Sequence, residues 1–176
     1  IPWNLIYYSS AKQNSEMIAP FGNQYVRSAL ITGKQWDTTM KFIQECGGKN
    51  SANNNINDSS TGWGNHYDSL LTLDRYPQIS NDFGASWNNA STKNANSSYI
   101  LRTGASTGTK VLNISDMAGN IYEWSSEYVQ GYLSLVMYRG GAFNYQGIIS
   151  AGFRTYHYTS GYSFDYVGYR VSLFVI

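Results

Sequence analysis

The chain has 176 residues, a charged fraction of 13% and a formal net charge of +1. That length fits one domain able to bury a sizeable core, and the charged share is about half the usual one. No basic or acidic block is present to draw nucleic acid or an anionic membrane, and no apolar run of about 18 residues offers a membrane span.

The start, Ile1-Pro2-Trp3, reads as that of a fragment or processed piece. A helix is expected around 9–18, ended by Pro20 and Gly22. Thr32 followed by Gln35 reads as a capping box, with Trp36, Met40 and Ile43 at helical spacing and Gly47-Gly48 as a stop; this predicts a helix over 32–46. Residues 47–66 are polar and Asn-rich, and predict a surface loop. Residues 77–98 are similar but carry Phe83 and Trp87 as anchors to a scaffold. Strands are expected over 120–128, with Ile121 and Glu123 on one side and Tyr122 and Trp124 on the other, and over 135–143 and 167–175. The Gly140-Gly141 pair signals a bulge or a close backbone approach. Helices followed by a compact, mainly antiparallel sheet with long loops make the fold α+β, and no domain boundary or repeat divides residues 1–176.

The single cysteine, Cys46, excludes a disulfide framework and any site needing two thiols. Its place at the end of the helix suggests a buried, inert thiol. The two histidines, His66 and His157, stand far apart, which argues against a His-rich metal site. No Ser-His-Asp set is visible.

Three blocks then stand out in order: Ile-Ser-Asp-Met-Ala-Gly-Asn-Ile-Tyr-Glu-Trp at 114–124, Tyr-Arg-Gly-Gly-Ala-Phe at 138–143 and Gly-Tyr-Arg-Val at 168–171. Together with Thr-Gly-Lys-Gln-Trp-Asp at 32–37, this set resembles the formylglycine-generating-enzyme/sulfatase-modifying domain family, a branch of the C-type-lectin fold. The resemblance implies that the family's first strands belong before Ile1, in agreement with a truncated start. In calcium-binding members the positions matching Asp116, Gly119, Ile121 and Glu123 ligate Ca²⁺, the first and last by side chains and the others by carbonyls. The competing reading is a structural turn in which Asp116 and Asn120 bond local backbone groups. No other cofactor is implied. Trp124 belongs to the core, and Arg139 and Arg170 brace the sheet. The family's oxidase activity rests on a copper-binding cysteine pair near the C-terminus, and this sequence has no cysteine after Cys46. The resemblance therefore points away from catalysis, since fold alone does not carry activity.

Residues 143–169 hold six of the 16 tyrosines, Tyr145, Tyr156, Tyr158, Tyr162, Tyr166 and Tyr169, with Phe143, Phe153 and Phe164. Ser, Gly, Asn and Thr fill most other places, as in antibody paratopes. Tyr156, His157 and Tyr158 are consecutive, so no sheet face buries all three; Tyr162, Phe164 and Tyr166 alternate and can share one face, either core or binding site. The segment resembles the variable region of diversity-generating-retroelement proteins, which use the same lectin-like fold. That resemblance implies a variable region within 139–170. Its ligand-contacting residues would be Tyr145, Ile148, Phe153, Tyr156, His157, Tyr158, Tyr162, Phe164, Asp165 and Tyr166, with Tyr169 and the flanking Gly and Arg residues as frame. It further implies a protein or cell-surface receptor as partner, without nucleic acid or membrane insertion, and a place on a phage tail fibre or a bacterial surface. The alternatives are a sulfatase-modifying-type oxidase and a calcium-dependent carbohydrate lectin.

Overall fold

The computed structural model describes residues 3–19, 24–159 and 162–175. Helix α1, Tyr8–Met17, turns Tyr8, Ala11 and Ser15 inward. The expected stop signals Pro20 and Gly22, like Ile1 and Pro2, lie outside the described residues. Strand β1, Val26–Leu30, follows, where the sequence had suggested none. Helix α2, Gly33–Gly47, is the one expected at 32–46. The Thr32 hydroxyl accepts from Gln35 N–H at 3.1 Å, and the Gln35 side-chain oxygen Oε1 accepts from Thr32 N–H at 2.9 Å. This reciprocal cap satisfies two of the helix's orphan donors. The inward stripe is Gly33, Trp36, Met40 and Ile43. Cys46 lies off that stripe and is exposed, which corrects the expectation of a buried thiol.

The polar stretch 47–66 is more than a surface loop. Asn50–Ser51 and Asn54–Asn55 form a short antiparallel ladder, and Ile56, Trp63, Asn65 and His66 are buried. Asn55 Oδ1 accepts from Asn57 N–H at 2.9 Å and Asp58 N–H at 2.7 Å, so polar side chains hold the turn while Ile56 and Trp63 reach the core. In the next long loop Trp87 packs on the core with the Arg102 guanidinium 4.6 Å above its ring. Phe83 stays half-exposed and meets Phe143 edge-on at 6.4 Å.

Strands β2 (Tyr122–Val129), β3 (Tyr132–Arg139), β4 (Arg154–Tyr158) and β5 (Val167–Tyr169) form one sheet in the order β4-β3-β2-β5. The β2–β3 and β3–β4 pairs are antiparallel; β5 runs parallel to β2. Strand β6, Val171–Val175, leaves this sheet and pairs antiparallel with β1, Leu30 opposite Val171 and Val26 opposite Val175. The strand expected at 167–175 is thus divided at Arg170, whose carbonyl accepts from Ile31 N–H at 3.3 Å. The strand expected at 135–143 ends at Arg139, because Gly140 and Gly141 take φ of 96° and 76°. A Cβ there would stand 3.1 Å from the Trp36 ring and 2.3 Å from the Ile149 carbonyl, so the glycine pair is a close approach.

Strand β2 has neighbours on both sides and its first half is covered on both faces, so Tyr122, Glu123 and Trp124 are all buried, as is Ile121 just before them. Tyr8 and Ala11 of α1 join Tyr122, Trp124, Val136, Tyr138 and Val167 in one core cluster. Trp36, Met40 and Ile43 of α2 join Ile56, Trp63 and Met117 in a second. Trp124 is fully buried, and its indole N–H donates to the Ile6 carbonyl at 3.1 Å. Two helices, a mainly antiparallel sheet and long irregular loops make the fold α+β, as expected. No helix among the described residues is long and apolar enough to cross a membrane.

Candidate functional site

The frame comes first. Asp116, Gly119 and Asn120 all take left-handed φ, of 55°, 66° and 65°. Asn120 ties the turn down: its Oδ1 accepts from Leu101 N–H and Asn65 Nδ2, each at 2.9 Å, and its Nδ2 donates to the Leu101 carbonyl at 3.1 Å. Asp116 Oδ2 accepts from Gly104 N–H at 2.6 Å. Both oxygens of Glu123 accept from Arg170, at 2.8 Å each, and Arg170 also donates to the Ser115 and Asp116 carbonyls at 3.1 and 3.2 Å. Burial raises the pKa of Asp116 and of Glu123; for Glu123 the guanidinium beside it opposes the rise. Asp116, Gly119, Ile121 and Glu123 line one cavity of about 260 Å³ together with Trp3, Tyr169 and Arg170. The Asp116 and Glu123 carboxylates that a Ca²⁺ ion would need already accept hydrogen bonds from within the chain, and the cation beside Glu123 is Arg170. Asp116 and Asn120 bond Gly104, Leu101 and Asn65, distant in sequence, so they tie segments together where local turn bonds were expected, and this donor set fits such a structural role better than it fits calcium.

Arg139 is almost wholly buried. It donates to Glu127 at 2.8 Å and to Asp37, and lies over the Trp36 ring at 5.7 Å, which ties β3 to α2. Arg154 reaches Asp37 as well, and Glu127 at 3.6 Å. Burial opposes ionisation of Asp37, but hydrogen bonds from Arg139 and Arg154 outweigh it and hold its pKa below the ordinary value.

Between these fixed ends the aromatic residues fall into two groups. Register on β3 sets Tyr158 beside Leu135, Tyr156 beside Met137 and Arg154 beside Arg139 on one face of β4. His157 sits beside Val136 and Thr155 beside Tyr138 on the other. Tyr156 and Tyr158 are 55% and 58% exposed. On the opposite face His157 meets Tyr162 at 4.7 Å and Phe164 at 5.0 Å. Tyr162, Phe164 and Tyr166 stack in sequence, at interplanar angles of 8° and 21°, so the three alternating rings do share one side. Tyr166 continues the array edge-on to Tyr145 at 6.0 Å and Tyr122 at 6.1 Å. Burial, with Tyr145 and Tyr138 nearby, pushes the Tyr166 phenol up to about 12. Tyr145, Ile148 and Tyr162 are exposed; Phe153, His157, Phe164, Asp165 and Tyr166 are half-buried. Tyr169 stands apart, its ring 5.6 Å from Trp3.

The scaffold grips the segment by its main chain. The carbonyls of Tyr145, Phe164 and Tyr166 accept from the N–H groups of Tyr67, Leu5 and Tyr122, at 2.8, 3.1 and 2.8 Å. The Asp165 carbonyl accepts from Asn4 Nδ2 at 2.6 Å. Sequence reasoning did not single out Asn4, Tyr67, Tyr122 or Tyr138 as partners of the segment. Tyr122 and Tyr138 extend the array beneath the surface, and nothing in the sequence spacing announced it.

No protein-family model and no curated protein matches the sequence. Solved structures share its fold. PvdO from Pseudomonas aeruginosa superposes with a TM-score of 0.58 at 16% identity, over 97% of this chain and 60% of that one. CarF gives 0.52 at 18%, over 85% and 48%. Treponema denticola variable protein 1 gives 0.46 at 14%, over 82% and 47%. The chain spans less than two thirds of each of these structures, and the likeness to PvdO and CarF, at such identities, speaks to fold alone. That fold is C-type-lectin-like.

Proposed function

We propose that the chain is a ligand-binding domain whose C-type-lectin-like scaffold displays a diversified, Tyr-rich surface between residues 143 and 166. One observation carries the reading. At Tyr145, Phe164, Asp165 and Tyr166 the scaffold holds main-chain carbonyls, which every residue type possesses. That grip does not depend on side-chain identity, and the exposed positions Tyr145, Ile148, Tyr156, Tyr158 and Tyr162 are the freest to vary, while Phe153, Phe164 and Tyr166 also pack against the core. The flanking Arg139 and Arg170 are spent on internal ion pairs and belong to the frame. Rigid rings with hydroxyls supply contact area at low entropy cost, and adaptable Ser, Gly and Asn positions surround them.

The partner is a protein or cell-surface receptor, met from a phage tail fibre or a bacterial surface. No catalytic role is assigned: the chain has one cysteine, so the thiolate pair of a sulfatase-modifying oxidase cannot form within it. The Asp116–Glu123 turn serves as architecture, with Arg170 as its cation. The test is sequencing of the DNA encoding residues 139–170 across a natural population. Substitutions should concentrate at the ten candidate positions and arise at adenines, with a near-copy template repeat beside a reverse transcriptase gene. An invariant segment with no such repeat would sink the reading.

A further inference from the structure

Strand β4 ends the sheet order β4-β3-β2-β5, so one of its edges has no strand partner among the described residues. Which groups face that edge follows from one bond. Thr159 N–H donates to the Ser134 carbonyl at 2.8 Å, which makes 159 and 134 a hydrogen-bonded pair. Antiparallel pairs alternate, so in the unbroken register His157 with Val136 and Thr155 with Tyr138 are bonded pairs too. The N–H and C=O groups of Arg154, Tyr156 and Tyr158 therefore point away from β3, at the residues whose side chains are exposed. Devices that commonly blunt such edges, a proline, a lysine or a bulge, are absent from Arg154–Tyr158.

Charge specifies what fits. Asp37 and Glu127 are engaged by Arg139 and Arg154. Lys34 and Lys41 line the same cavity of about 600 Å³ as Arg154. Neither lysine has a carboxylate partner among the described residues. The Arg154 end of the edge thus carries uncompensated positive charge. A second copy of β4 would bring no carboxylate to it, since Arg154–Tyr158 contains none.

We propose that β4 receives an extended segment of a partner protein as an added strand, with an Asp or Glu of that segment set against Lys34, Lys41 and Arg154. This rests on the reading of the segment as a binding surface and deepens it. Main-chain bonds to the edge would supply affinity whatever the side chains, and Tyr156 and Tyr158 would supply specificity.

A displayed library of random short peptides, panned on the whole chain, should yield binders with an acidic residue toward one end. A labelled synthetic copy of such a binder should lose affinity about tenfold when N-methylated at alternate residues, and little at the residues between. Replacing both lysines by Ala should weaken it too. Tyr156→Pro removes an outward N–H without touching a bond to β3 and should weaken binding well beyond Tyr156→Ala. Equal losses in the two variants, with no alternation in the methyl scan, would overturn strand addition and leave the side-chain surface standing. Indifference to both variants, with alternation absent, would overturn both ideas. Failure to select any peptide, or self-association that uses the β4 edge, overturns the proposal. If Tyr156→Pro does not fold, the methyl scan on the unaltered chain decides alone.

Discussion

Arg170 spends its guanidinium on Glu123 and on two carbonyls of the turn before it. Removing it would strand a carboxylate whose pKa burial already raises. Arg170→Ala should cost about 3 kcal/mol at neutral pH in urea denaturation. The cost should shrink in acid, where the stranded Glu123 takes up a proton; a loss that is small and flat with pH would show the pair to be incidental. His66 is a second residue-scale case. It is fully buried, 2.8 Å from the Ser60 hydroxyl, and burial pulls its pKa down to about 4. The unfolded chain binds a proton near pH 6.5 while the folded one does not, so His66 erodes stability as pH falls from about 6.5 towards 4, by up to about 3 kcal/mol. His66→Gln should flatten that stretch of the stability profile relative to the unaltered chain. Parallel profiles would refute the assignment.

At the scale of elements, the turn after β3 is the tightest constraint. Gly141→Ala would set a Cβ 2.3 Å from the Ile149 carbonyl at a φ of 76°. It should cost more than about 2 kcal/mol, whereas Gly131→Ala, at a φ of 83° with open space around it, should cost about 1 kcal/mol. Equal losses would show that strain, not crowding, governs both. Sequence made α2 legible because its cap and its apolar spacing are local signals. It hid β1 because Val26–Leu30 lacks a strand-like pattern and finds its partner, β6, at the other end of the chain. It hid β4 for a related reason: which of Tyr156, His157 and Tyr158 faces out depends on the register with β3. Helix position alone does not place Cys46, because it leaves open which side of α2 carries the inward stripe Trp36, Met40 and Ile43. The motif 114–124 named the fold correctly, yet its acidic residues could not reveal that Arg170, from the far end of the chain, would pair with Glu123.

Taken whole, the molecule separates what holds it together from what it shows. Cohesion lies in buried clusters around Trp124 and Trp36, in the Asn65–Asn120 tie and in the β1–β6 pairing. Exposed aromatic surface lies at Tyr156 and Tyr158 on β4 and at Tyr162, while Phe164 and Tyr166 of the stack also pack against the core. Tyr156→Ala with Tyr158→Ala should therefore leave the thermal midpoint within about 4 °C of the parent. Binding contributed by rings at the centre of such a patch should fall by about 2 kcal/mol each. A large fall in thermal midpoint would make these tyrosines part of the core.

The grip on Tyr145, Phe164, Asp165 and Tyr166 through carbonyl oxygens has a consequence for descent. On the proposed reading, shape in this segment would be inherited separately from spelling. Two chains that differ at all ten positions should superpose along the same backbone path and still recognise unrelated partners. Percentage identity counted across residues 143–166 would then measure the history of targets met, while kinship would be written in Asn4, Asn65, Asn120, Arg139 and Arg170.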